Sequence, residues 1–164
     1  MSRSQNPAFE PDGLPWQSVS PQLRTARHIV LAMVLGLPAI GLTVMAAFVG
    51  DWSWIAPAVV GTFTIWAALV VPRQVRAIGY AEREADLLVR KGVLFRSLVV
   101  VPYGRMQFVD VQSGPLARAL GIAQVQLHTA SPGTDASIPG LSPGEAARLR
   151  DCLAALGEAR LAGL

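Results

Sequence analysis

Three carboxylates recur at every second position, Glu82, Glu84 and Asp86. On a strand that spacing turns all three to one face, which is what acid–base work would need. They share their stretch with Arg83 and Arg90, and the simpler reading is a solvated hairpin; Asp110 has no acidic neighbour. Cys152 is the single cysteine, so an internal disulfide is excluded. It falls among the apolar positions of a helical pattern, as a small buried hydrophobe does. The two histidines, His28 and His128, supply no zinc set, and no carboxylate or second histidine stands beside His128 to suggest a relay. Gly13, Gly104 and Gly144 belong to no phosphate-cradling pattern. These residues give no catalytic group, cofactor site, metal site or small-molecule substrate, and the chain reads as a non-enzyme.

The basic residues are more informative. Arg73, Arg76, Arg83, Arg90, Lys91, Arg96 and Arg105 lie within one stretch that directly follows a long apolar region. Close to a leaflet of anionic lipids such residues are attracted by about 1 kcal/mol each. Arg73, Arg76, Arg90, Lys91, Arg96 and Arg105 are therefore the candidate contacts to a lipid or a partner. Three acidic residues interrupt the stretch and no recognition motif accompanies it, so nucleic acid is not an expected partner.

What must position these groups begins with the membrane. Of the 164 residues 52% are hydrophobic and 15% charged, against roughly 25% charged in an average soluble domain. Residues 29–49 and 52–71 are two uncharged runs, each long enough as a helix for a hydrocarbon core of about 30 Å. They predict a tight antiparallel transmembrane hairpin over 23–72, turned at Gly50 and Asp51, with Trp52 and Trp54 as interfacial anchors and a kink near Pro38. Arg24, Arg27, Arg73 and Arg76 flank the spans and the connection carries no cation. That asymmetry predicts a multi-pass protein of the bacterial cytoplasmic membrane with both termini cytoplasmic. Residues 1–22, with four prolines, read as an irregular arm in which Trp16 is open to headgroups, solvent or a partner.

Past Arg76 the pattern changes to short runs punctuated by Gly, Pro and Asp. It predicts strands near 75–82, 86–91, 94–102, 106–112, 124–129 and 135–139, with the clearest alternation at Gln124, Gln126 and His128 against Val125, Leu127 and Thr129. Turns at Lys91-Gly92 and at residues 131–134 make the sheet antiparallel. Pro115 to Leu120 is a helical turn stopped by Gly121. Ser142-Pro143-Gly144-Glu145 is a capping-box start for a final helix whose Ala146, Ala147, Leu149, Leu153 and Leu156 form an apolar face. The expected domain covers 73–158, with a tail at 159–164.

An ordered set of short pieces carries a resemblance: Tyr80, residues 88–94 (LVRKGVL), 101–107 (VPYGRMQ), 114–118 (GPLAR), Leu120-Gly121, Ala130 and 138–141 (IPGL). With the preceding hairpin, over roughly residues 20–156, it resembles the bacterial pleckstrin-homology family of small membrane proteins, of the YdbS-like type. Its motif positions here are Pro102, Arg105, Gln107, Gly114, Pro115 and Gly121; Met106 stands where members commonly have Ile, an exchange an apolar pocket accepts. The resemblance implies a pleckstrin-homology-like partial barrel of six or seven antiparallel strands capped by the C-terminal helix, and no enzymatic activity. The expected role is a protein-interaction or scaffolding module for another membrane protein or a second copy of the chain. The alternative is a reader of anionic lipid headgroups through the basic face.

Overall fold

The computed structural model describes residues 14–93, 95–130 and 135–162; the expected turn at 131–134, Leu94 and most of the arm lie outside them. Two compact units result, one of residues 24–73 and the other of the chain up to Leu23 together with everything from Gln74.

In the first unit, helix α1 (Gln22–Leu31) passes through a π-helical turn (Ala32–Gly36) into α2 (Leu37–Val49). The wide turn stands where the kink was expected, and Leu37 N–H closes it by bonding the Ala32 carbonyl. Pro38 has no N–H to give and its ring crowds the carbonyl four residues back, so a turn with a longer repeat accommodates it. Gly50, at φ 115°, ends α2. A 3₁₀ turn (Asp51–Trp54) then leads into α3 (Ile55–Arg76), with Trp52 exposed and Trp54 partly so.

Pro72 lies inside α3 and cannot bond the carbonyl of Ala68. His28, on the other helix, brings Nε2 to 3.2 Å from that carbonyl and Nδ1 to 2.8 Å from the Arg24 carbonyl, and a neutral ring donates its one N–H to one of the two. Both α1–α2 and α3 are long and apolar enough to cross a membrane.

The second unit holds two antiparallel sheets. The first orders β1 (Gln17–Ser18), β2 (Gly79–Glu82), β3 (Asp86–Lys91) and β4 (Ser97–Pro102); the second orders β5 (Met106–Gln112), β6 (Ala123–Thr129) and β7 (Ala136–Leu141). Among the described residues, seven strands and the closing helix α5 (Pro143–Ala162) give the expected pleckstrin-like fold. Several boundaries differ from the reading of the sequence: β6 opens one residue earlier, at Ala123, and β7 runs over Ala136–Leu141 where 135–139 was expected. Residues 75 and 76 continue α3 instead of opening a strand, the strand expected from 94 begins at Ser97, and α5 continues through 159–162, where a tail was expected.

The larger difference concerns the arm. Gln17 pairs with Tyr80 and Ser18 with Gly79, so residues expected to be irregular supply the sheet's first strand, and both helical spans are an insertion between β1 and β2. Ser20 N–H bonds the Gly140 carbonyl at 2.8 Å. Gly140 has φ 75°, and a Cβ there would stand 2.8 Å from Leu23 Cβ, so the backbone and the close approach both require glycine.

The core follows the alternation. Val125 and Leu127 are fully buried while Gln124, Gln126 and His128 are not. Leu87, Val89, Val101, Ile138 and the α5 residues Ala146, Leu149 and Leu153 join them. Each such leucine contributes about 1.5–3 kcal/mol. Ser142 Oγ accepts the Glu145 N–H, as the capping pattern predicts. Gly114 precedes α4 (Pro115–Ala119), and Gly121, at φ 63°, follows it; the Ile122 N–H bonds the Ala117 carbonyl across this stop.

Candidate functional site

The expected basic face does not form as one surface. Arg90 and Lys91 are neighbours on β3, so their side chains leave the sheet on opposite sides. Arg90 stacks on Trp16, 4.7 Å from guanidinium carbon to ring centroid, and Lys91 Nζ donates to Ser137 Oγ of β7 at 2.9 Å. Burial pushes the pKa of both groups down. Both cations are engaged with their own chain. Arg96 is exposed beside Phe95, which is 92% exposed, on the β3–β4 turn, and Arg105 is exposed in a 3₁₀ turn (Tyr103–Arg105). Arg73 and Arg76 are exposed on α3. Gln107 is exposed where the β5–β6 register shifts, and Pro102 closes β4.

The acidic stretch forms the rim of an open groove of about 750 Å³, with Tyr103, Leu156 and Leu14 among its lining. Two of its carboxylates have partners within the fold. Glu82 pairs with Arg148 at 2.6 Å and lies 3.9 Å from Cys152 Sγ, and Asp86 stands 3.9 Å from Arg83. The Tyr103 hydroxyl donates to the Arg83 carbonyl, and burial pushes its pKa up to about 12.

Behind this rim Tyr80 joins three elements. Its phenol oxygen is 2.6 Å from Gln17 Oε1 and 2.8 Å from Glu145 Oε1. A phenol carries one proton, which belongs on the carboxylate bond, so the Gln17 amide must turn its NH₂ toward the phenol oxygen. Burial, then the bond to Glu145, raises the Tyr80 pKa; bonds from Arg148 and Tyr80 lower that of Glu145. Arg148, shared between Glu145 and Glu82, is held more firmly protonated by both.

The sequence missed one pair. Asp135 Oδ2 lies 3.3 Å from His128 Nδ1, and its Oδ1 accepts the Thr129 N–H at 2.9 Å. Phe108 stacks on the His128 ring at 4.3 Å between centroids. The signal was the β6–β7 register: Leu127 opposite Ala136 makes His128 and Asp135 the next pair outward. With a carboxylate on its second oxygen already committed to backbone, this is a hairpin clasp.

Among the described residues β1, β4, β5 and β7 each stand at a sheet edge, and β4 is the apolar one of interest. β4 bonds β3 on one side and has no strand on the other among the described residues. It presents Leu98, Val99 and Val100 there, and Val100 is 41% exposed.

Comparison with known proteins places these surfaces in a family. The family model described as bacterial PH domain matches residues 24–157. The UPF0699 transmembrane protein YdbS of Bacillus subtilis (strain 168) is 29% identical over 153 residues, covering 90% of either chain. No solved structure gives a significant match.

Proposed function

The chain belongs to the bacterial PH domain family, and on that premise we propose that it is a non-catalytic membrane protein whose PH-like domain docks another protein by strand addition at β4. The free β4 edge carries this reading. An edge strand leaves N–H and C=O groups unpaired, and natural proteins usually blunt such edges with charge or proline. Here the middle of the edge is Leu98-Val99-Val100, with no charge until Arg96. An extended segment laid along it would gain main-chain bonds, with alternate side chains meeting the apolar surface. The occupant fits another membrane protein or a second copy of this chain. Scaffolding is favoured over headgroup reading by a broad basic face because Arg90 and Lys91 are bound to Trp16 and Ser137.

The test is in-cell crosslinking and co-purification of the full chain beside Val100→Lys, which puts a charge on the edge without touching the core. Loss of the captured partner, with an unchanged melting temperature, supports strand addition. Undiminished capture by Val100→Lys, or capture by a chain ending at Arg76, overturns it.

A further inference from the structure

The phase of the hydrogen bonds along β4 decides which of its main-chain groups are free. Tyr103 N–H, one residue past the strand, bonds the Ala85 carbonyl on the β3 side, while Arg83 N–H reaches the Asp86 carbonyl from the β2 side. In an antiparallel ladder a residue turns its N–H and C=O toward one neighbouring strand and the next residue turns them toward the other. Val101, Val99 and Ser97, in phase with Tyr103, therefore bond β3 at Leu87, Val89 and Lys91. Leu98 and Val100 turn their groups outward. Pro102 is in the same phase but has no N–H to offer.

This row matches itself when turned end for end. A second copy laid antiparallel, with Val99 opposite Val99, sets Leu98 of each chain against Val100 of the other, and each such pair exchanges both main-chain bonds. Pro102 then falls beyond the last exchanging pair, opposite the exposed Arg96 of the other copy, where its missing N–H costs nothing. Its neighbour on β3 is Asp86. Opposite residues share a face of the sheet, so Arg96 and the other copy's Asp86 stand on one face, two strand spacings or about 10 Å apart between Cα atoms. An arginine and an aspartate side chain close that gap between them. Among the described residues Asp86 has one ion pair, a long one of 3.9 Å to Arg83, and its Oδ1 makes no hydrogen bond. The two Arg96 side chains, by contrast, lie at opposite ends of the paired strands, about 20 Å apart along them.

We propose that β4 pairs with β4 of a second copy, antiparallel about Val99, joining two four-stranded sheets into one and setting Arg96 of each copy against Asp86 of the other. The inference rests on strand addition at β4 and names its occupant. The edge is complementary to itself in three respects. Its apolar outward residues meet each other, its proline falls outside the exchanged bonds, and its cation comes to a weakly compensated carboxylate. An isologous contact needs both halves of every match on one surface, and this edge carries them.

The experiment uses the full chain in membranes of the expressing cell, with Cys152→Ser and one introduced cysteine. Val99→Cys meets its own copy at about 4.5 Å between Cα atoms, within disulfide range, whereas Ser97→Cys on the same face meets its own copy only at about 14 Å. Oxidation by copper phenanthroline should form the disulfide dimer roughly tenfold faster at 99 than at 97. Arg96→Glu, which turns a second carboxylate toward Asp86, should slow the reaction at 99 several-fold, and Asp86→Arg in the same chain should restore it. Equal rates at 97 and 99, or a rate at 99 indifferent to Arg96→Glu, overturns the second copy as occupant. Val100→Lys separates this result from the reading beneath it. If Val99→Cys gives no dimer but a crosslink to another protein that Val100→Lys removes, strand addition stands and the second copy falls; if position 99 gives no product at all, both fall. Should Val99→Cys fold poorly, two differently tagged copies carrying Leu98→Cys and Val100→Cys should crosslink with each other faster than either does with itself, and equal rates there overturn the pairing.

Discussion

Trp16→Ala measures whether the N-terminal arm is part of the sheet domain. Trp16 is half-buried and its ring lies under the Arg90 guanidinium at 4.7 Å. Removing it exposes about 100 Å² of apolar surface, roughly 2.5 kcal/mol at 25 cal/mol per Å². It also removes a cation–π contact of about 0.5–2 kcal/mol. The sum is an upper bound, since the arm relaxes, and a loss of about 2–4 kcal/mol is expected. In a domain of this size each kcal/mol moves the midpoint by about 4–8 °C, so melting should fall by roughly 10–20 °C. Cys152, half-buried on α5 and the single thiol, reports the event. In detergent its reaction with a fluorogenic maleimide during a thermal ramp marks unfolding of the domain. Trp16→Phe, which keeps an aromatic face under Arg90, should recover part of the loss. A Trp16→Ala midpoint equal to that of the unaltered chain would refute the argument, because the arm would then contribute nothing to the sheet.

Both tyrosines of the chain are raised, Tyr103 to about 12 and Tyr80 also upward, by burial before anything else. A phenol with a raised folded pKa adds stability that is complete below the unfolded value of about 10 and disappears as pH rises through the folded value. Tyrosinate absorbance of the folded protein should stay flat through pH 10 while the denatured chain titrates there; a native midpoint near 10 would show that the two phenols are open to water. Gly140→Ala forces a side chain into a positive φ against Leu23 and should cost about 1–3 kcal/mol by the same thermal assay. His28→Ala removes the ring that bridges the Arg24 and Ala68 carbonyls and should weaken the helical hairpin by about 1–3 kcal/mol, read as an earlier transition in a titration with sodium dodecyl sulfate. An unmoved transition would mean that water reaches the carbonyl freely.

Local signals were legible in the sequence wherever one residue decided the geometry. Pro115 and Gly121 bracket α4, Ser142 caps α5, and the period of two over 124–129 sets the inside and outside of β6. The strand β1 was not legible, because Gln17-Ser18 is too short to alternate and carries no apolar residue. Its partner lies across the whole helical hairpin. Residues 75 and 76 differ because Val-Arg-Ala-Ile alternates as well as it winds, and α3 runs on through Pro72 to Arg76. The basic set looked like one face because charge can be counted along a chain, whereas direction depends on register. Adjacent positions on β3 sent Arg90 to Trp16 and Lys91 to Ser137. The His128–Asp135 pair likewise waits on the hairpin that brings them opposite.

The pairing of β1 with β2 also constrains topology without reference to charge. Two strands hydrogen-bonded edge to edge must occupy one aqueous compartment, so the chain between Ser18 and Gly79 can cross a bilayer only an even number of times. A single helix slipping out of the membrane, or one crossing where two are needed, would separate Gln17 from Tyr80 by the full thickness of the lipid. Completion of the sheet is therefore incompatible with an odd number of crossings between its first two strands. Synthesis delivers β1 first, then both apolar helices, then β2, so the pairing of Gln17 with Tyr80 waits until everything between them has been placed.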